Sequence, residues 1–193
     1  MTPSERLRNI LVSTKLGPVT PYYGIVNGRC ECGKPTGEYP VRAKGGKLKT
    51  VQHRPGKHPH GNDPKFQTKA TKDTATIRQW IEQYPGANFG VIAGVETVVL
   101  DLDIRPEKNG VQEIAQLELT AGQTLPPTTT VLSGSGSGAK HLYFKIPSNL
   151  DQLQKPKGTK GIDFLRSKQG VIVPGSLHES GQLLHICARS FSC

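Results

Sequence analysis

No stretch of this 193-residue sequence approaches the ~20 consecutive apolar residues that a membrane-spanning helix requires. Its first residues, MTPSERLRNILVS, lack the apolar core of a secretory signal peptide, so a cytoplasmic location and no membrane partner are expected. Cysteine is scarce, four in all, and without a secretory leader thiols or metal ligands are expected rather than disulfides. Aromatics make up only 6% of the chain and hydrophobic residues 34%. Gly (22) and Pro (15) together make about a fifth, which is loop-rich but below the roughly 25–30% of low-complexity chains. Fibrous, membrane-spanning and disulfide-scaffold architectures are excluded. The length suits one domain with a real core.

Basic residues dominate: 25 Lys+Arg against 15 Asp+Glu, a formal charge of +10. The excess is not spread evenly. Residues 1–72 hold 14 Lys+Arg and 4 Asp+Glu, whereas residues 73–193 hold 11 of each. A surplus of this size fits either a polyanionic partner such as nucleic acid or a solubilising basic surface. Lys140, Lys145, Lys155, Lys157, Lys160, Arg166 and Lys168 form a second, local bias.

Residues 4–16 read as an amphipathic helix capped by Ser4, and residues 17–72 as a Gly/Pro-punctuated segment without long periodicity. Ile77, Trp80, Ile81 and Tyr84 form a helical stripe that Asp73 or Thr74 can cap and Pro85-Gly86 ends. Strands are expected over 88–93, 97–105, 128–132, 141–146, 161–165, 170–173 and 183–186, with a helix over 111–119. Hairpins mixed with crossovers predict an α+β fold with a mixed or antiparallel sheet.

The sharpest chemical feature is Asp101-Leu102-Asp103 inside a hydrophobic strand. A spacing of two puts both carboxylates on one face, where they repel unless a cation such as Mg²⁺ or Mn²⁺ lies between them. One exposed acid and an ion pair with Arg105 is the plainer alternative. The turn at 133–138, SGSGSG, can bring backbone N–H groups to an anion. After it, His141, Tyr143 and Lys145 share one strand face, with Leu142, Phe144 and Ile146 toward the core. Asp163 would add a third carboxylate from a separate strand. Arg166, Ser176 and His178 follow, the latter two after Pro174-Gly175 as a loop cluster or as phosphate contacts. Cys30 and Cys32, with His53 and His58, could complete a tetrahedral Zn²⁺ site. The spacing is loose and His60 competes, so surface thiols in a mobile loop are the expectation and zinc the alternative. Cys187 and Cys193 look incidental.

In order along the chain stand GKHP (56–59), IRQWIEQYP, ANFGVIAG (87–94), DLD, SGxGxxHLYF and GIDFLRSxxGVIVPGSxHxSG. The combination resembles the bifunctional DNA primase/polymerase (prim-pol) domain of the archaeo-eukaryotic primase superfamily, over roughly residues 17–186. Gly175 stands where a second Pro is common, and the Cys cluster before GKHP is represented only by Cys30 and Cys32. The resemblance implies an RRM-like catalytic sheet packed with a second small α/β unit, the active site lying in the cleft between them. The chain is thus expected to divide into the N-terminal helix (1–16), a catalytic domain (17–186, of which 17–72 is the basic, Gly/Pro-rich part) and a tail (187–193). The implied activity is template-directed nucleotidyl transfer in replication of a chromosome, plasmid, phage or other mobile element. Asp101, Asp103 and Asp163 would bind the divalent metals. Ser135, Gly136, Lys140, His141, Arg166, Ser176 and His178 would hold an NTP or dNTP. Lys57, Lys65 and Lys69 would contact a single-stranded DNA template, and a replicative helicase is an implied partner. The alternatives are a metal-dependent nuclease or replication initiator, and a non-catalytic single-stranded DNA-binding module.

Overall fold

A computed structural model describes residues 2–43, 45–62 and 65–187. In chain order its elements are α1 (Pro3–Ser13), β1 (Val19–Tyr22), β2 (Ile25–Val26), β3 (Arg29–Cys30), β4 (Gly37–Arg42), β5 (Leu48–His53), α2 (Phe66–Lys69), α3 (Thr74–Gln83) and β6 (Asn88–Ile92). There follow β7 (Thr97–Leu102), β8 (Ile104–Arg105), β9 (Lys108–Asn109), α4 (Gly110–Ala121), β10 (Thr129–Leu132), β11 (Lys140–Lys145), β12 (Ile162–Leu165), β13 (Gly170–Ile172) and β14 (His185–Ile186). The fold is α+β and its strand pairs are antiparallel.

Local chemistry explains the helix ends. Thr2, not Ser4, caps α1: its hydroxyl accepts from Glu5 N–H at 3.2 Å while the Glu5 carboxylate accepts from Thr2 N–H at 2.7 Å. This reciprocal box satisfies two orphan donors, and the helix ends at Ser13, short of residue 16. Asp73 caps α3 by accepting from Thr76 N–H at 2.7 Å.

Two sheets organise the chain. The smaller has the order β1-β6-β13 and the larger β12-β7-β11-β10-β14. The main core gathers Ile10, Val19, Ile77, Phe89 and Val91 with Val99, Val131 and Tyr143 from one face of the larger sheet. On the opposite face Leu102, Leu142 and Ile162 meet Val111, Ile114 and Leu117 of α4. The larger sheet is therefore covered on both sides, and Tyr143 is 3% exposed rather than on an open face beside Lys145.

The strand expected over 97–105 breaks at Asp103. Its N–H still donates to Gly161 O (2.8 Å), in register with β12, but its carbonyl accepts from Gly110 N–H (2.8 Å) at the start of α4. Gly110 and Gly161 meet back to back: a Cβ on Gly110 would lie 2.2 Å from Gly161 O, and one on Gly161 2.3 Å from Gly110 N. Only hydrogens fit this seam. The Gly/Pro-rich segment also contains the β4–β5 hairpin, which the sequence reading did not anticipate. No helix among the described residues is long and apolar enough to cross a membrane.

Candidate active site and metal centre

Three adjacent strands carry the candidate site. In the ladder register Asp101 of β7 faces Asp163 of β12 on one side and His141 of β11 on the other. The row is acid, acid, imidazole across the sheet. Directly opposed like charges destabilise a sheet, and a cation between Asp101 and Asp163 removes that cost. Burial pushes the Asp101 carboxyl above its usual range; His141 opposes this, while Asp103 and Asp163 add to it. His141 Nε2 lies 3.5 Å from Asp101 Oδ1, and burial holds its imidazole below its ordinary value, against the pull of the Asp101 charge. Its Nδ1 is buried with no hydrogen-bond partner among the described residues.

The other acids already hold cations. Lys108 Nζ reaches Asp103 Oδ2 at 2.6 Å, and Lys155 Nζ reaches Asp163 Oδ1 at 3.0 Å. Burial pushes Asp103 upward, but the Lys108 hydrogen bond and charge outweigh it and keep the carboxyl below its usual range. Neither lysine was singled out as an acid's partner from the sequence, since their proximity depends on the break after Leu102 and on the 149–160 connection. Three carboxylates within electrostatic reach, two of them attracting ammonium groups, match the oxygen donors that hard divalent ions prefer.

Two cavities open here. One, of about 640 Å³, is lined among others by Lys57, Asp101, Ser133, His141 and His178. The second, about 470 Å³, is lined among others by Lys57, Asp103, Ser133, Ser135 and His178. Both fall within the size range of ligand pockets. Ser135 shares a 2.8 Å hydrogen bond with Ser137, and Gly136 sits in the same turn near Gln182. His178 accepts from Ser180 N–H, and burial holds its ring below the ordinary value.

Other nominated residues do not join them. Lys140 alternates onto the face opposite His141, pairing with Leu102 and Leu132, and is 9% exposed. Arg166 donates to Leu150 O at 2.7 Å and stacks over Phe164. The Ser176 hydroxyl is committed to Phe89, bonding both its N–H and its carbonyl. Lys65 and Lys69 are exposed at α2 and are not among the residues lining either cavity.

The cysteines require the larger correction. Cys30 is 5% exposed, not a mobile surface thiol. Cys30 Sγ, Cys32 Sγ and one ring nitrogen each of His53 and His58 all lie within 4.8 Å of one another. Cys32 Sγ is 3.3 Å from His53 Nε2 and Cys30 Sγ 3.9 Å from His58 Nε2. A tetrahedron with metal–ligand bonds of ~2.0–2.3 Å has edges of about 3.3–3.8 Å, close to these separations. His53 Nδ1–H donates to Pro35 O at 2.7 Å, which leaves the Nε2 lone pair facing Cys32 Sγ. These four residues form a group able to hold a metal ion. His60 stands apart, stacked on Tyr84 at 4.0 Å. Cys187 lies just past the edge strand β14 and is 8% exposed, while Cys193 lies outside the described residues.

No curated protein matches the chain. The family model described as "bifunctional DNA primase/polymerase, N-terminal" does, over residues 18–190. The carboxylate row and the Cys/His group thus lie within a chain that belongs to the Prim-Pol family.

Proposed function

We propose that this protein is a template-directed nucleotidyltransferase, a DNA primase or polymerase, whose reaction centre is Asp101, Asp103, Asp163 and His141. The observation that carries this is the cross-strand row Asp163–Asp101–His141 with Asp103 at its end, in a chain of the Prim-Pol family. The RRM-like reading is supported by an antiparallel sheet with α4 on one face and the site on the other.

Asp101, Asp103 and Asp163 would hold Mg²⁺ or Mn²⁺, which supplies charge neutralisation and an activated hydroxyl. The protein's own groups do the rest. His141 and His178 line the first cavity from two sides and can donate to phosphate oxygens. The Ser133–Gly138 turn offers backbone N–H groups and hydroxyls beside the second. The primer 3′-oxygen would bond the α-phosphorus as pyrophosphate leaves and the hydroxyl proton passes to water. The basic residues 1–72 would follow a single-stranded template through its phosphates. Cys30, Cys32, His53 and His58 would hold Zn²⁺ as a closed structural site.

The deciding assay offers primed and unprimed single-stranded DNA with labelled dNTP or NTP and Mg²⁺ or Mn²⁺. Product growth that is lost on Asp101→Ala with Asp103→Ala, with DNA binding retained, is expected. Unchanged extension by that double variant rejects the assignment. DNA cleavage without nucleotide makes it a nuclease.

A further inference from the structure

Residues 53–58 form a short bridge between the two sites. His53 and His58, both in the Cys/His group, bracket Arg54, Pro55, Gly56 and Lys57. Lys57 N–H donates to Arg54 O at 3.3 Å, with Pro55 second and Gly56 third at φ +70, the signature of a tight turn. A Cβ on Gly56 would lie 2.6 Å from Asn88 Nδ2, so a side chain there is excluded twice, by φ and by space.

Asn88 is 3% exposed and holds the turn from below. Its Nδ2 donates to Gly56 O (3.3 Å) and Leu177 O (2.8 Å), while its Oδ1 accepts from Leu177 N–H (2.8 Å). One buried amide thus joins the loop of Lys57 to the loop of His178. On the other side, His58 O accepts from Tyr23 N–H at 3.1 Å. The turn is fixed at its base, yet Lys57 itself is exposed and lines both cavities, the one with Asp101 and the one with Asp103.

Arg54 lines both cavities as well, but it is the Lys57 charge that reaches Asp101, Asp103, His141 and His178 alike. Beyond burial, the largest influence on each, the Lys57 charge favours ionised Asp101 and Asp103 and neutral His141 and His178. A cation placed among metal-binding carboxylates and two imidazoles is suited to an anion that arrives with the metals, which is a triphosphate rather than a template backbone.

We propose that Lys57 binds the phosphates of the incoming nucleotide, and that the metal held by Cys30, Cys32, His53 and His58 serves to fix the turn that presents it. This rests on the nucleotidyl-transfer reading and reassigns Lys57 from the template to the nucleotide. The metal centre then controls nucleotide affinity at a distance, through two of its own ligands.

Calorimetry with dATP and Mg²⁺ tests this on the zinc-loaded and zinc-stripped protein and on Lys57→Met, with labelled single-stranded DNA binding measured in parallel. Lys57→Met should weaken dATP about tenfold or more, the scale of one charge-assisted hydrogen bond. Zinc removal should cost a similar factor in the native protein and less than about twofold more in Lys57→Met, with re-addition restoring the native affinity. Lys57→Arg should keep most of the affinity, and DNA binding should change little. Equal losses on stripping in both proteins overturn the coupling, as does a Lys57→Met that loses DNA and not dATP. If stripping unfolds the chain, Asn88→Ala with zinc bound gives the second reading: its loss must be non-additive with Lys57→Met. No dATP binding by the loaded native protein overturns the nucleotidyl-transfer reading as well, whereas additive losses overturn this proposal alone.

Discussion

Asp101 and Asp163 are direct cross-strand partners on β7 and β12, two carboxylates opposed in the ladder with Asp101 part-buried. Opposed like charges in a sheet cost about 0.2–1 kcal/mol. Asp101→Asn should therefore raise the Tm of the protein in Mg²⁺-free buffer by roughly 0.4–4 °C, given about 2–4 °C per kcal/mol at this size. It should also abolish the stabilisation that Mn²⁺ gives the native chain and lower primer extension by at least ~100-fold, since even supporting residues of metal ligands cost ~10–100-fold. Thermal melts with and without Mn²⁺ decide the matter; a lowered metal-free Tm counts against the opposed-charge account.

The Cys/His group predicts one tightly held zinc per chain. Cys32→Ser and His53→Ala should lose it, whereas His60→Ala should keep it, because His60 stacks on Tyr84 and lies outside the group. Elemental analysis of the purified variants checks the stoichiometry, and Co²⁺ replacement should show the absorption of a tetrahedral thiolate site. Zinc retained by Cys32→Ser would exclude this ligand set.

Burial ranks the core positions. Ile77 is fully buried in the main cluster, while Leu119 on α4 is 76% exposed. Ile77→Ala should cost about 2–5 kcal/mol and Leu119→Ala no more than ~0.5 kcal/mol in denaturant unfolding. Similar costs at the two positions would mean that α4 is covered by something in solution.

Asp73 predicts a pH-dependent helix cap. Its hydrogen bonds to Thr76 hold the carboxyl below the ordinary value. A depressed folded value stabilises above the unfolded pKa and is lost as pH falls through the folded one. Asp73→Ala should thus lower the Tm at pH 7, and the difference from the native chain should close on acidification below the usual Asp range of ~3.9. A gap that persists at pH 2 points to a cause other than the ionised cap.

Much of this was legible in the residues. The alternation of Val99 and Asp101 against Leu100 and Leu102 places the acids on one face, and the stripe from Ile77 to Tyr84 places α3. Periodicity could not show that β7 ends at Leu102, because what takes the Asp103 carbonyl is Gly110, at the start of the helix that follows. Nor could alternation show that Tyr143 is buried: a strand covered on both faces has no solvent side to read. The metal group was visible as types but not as a set, since His58 and His60 are equivalent until Tyr84 engages one of them. Ser176, Arg166 and Lys140 share motifs with the site while serving the backbone, a neighbouring loop and the far face of the sheet.

The Gly110–Gly161 seam has a further consequence. Because it locks α4 to the start of β12, the position of Asp163 is set two residues earlier, whatever path the chain takes before it. The Lys-rich segment 149–160 can then gain or lose residues without shifting the row of acids, while either glycine can scarcely be replaced at all. Length variation and strict identity should sit side by side in this protein, separated by a single peptide bond.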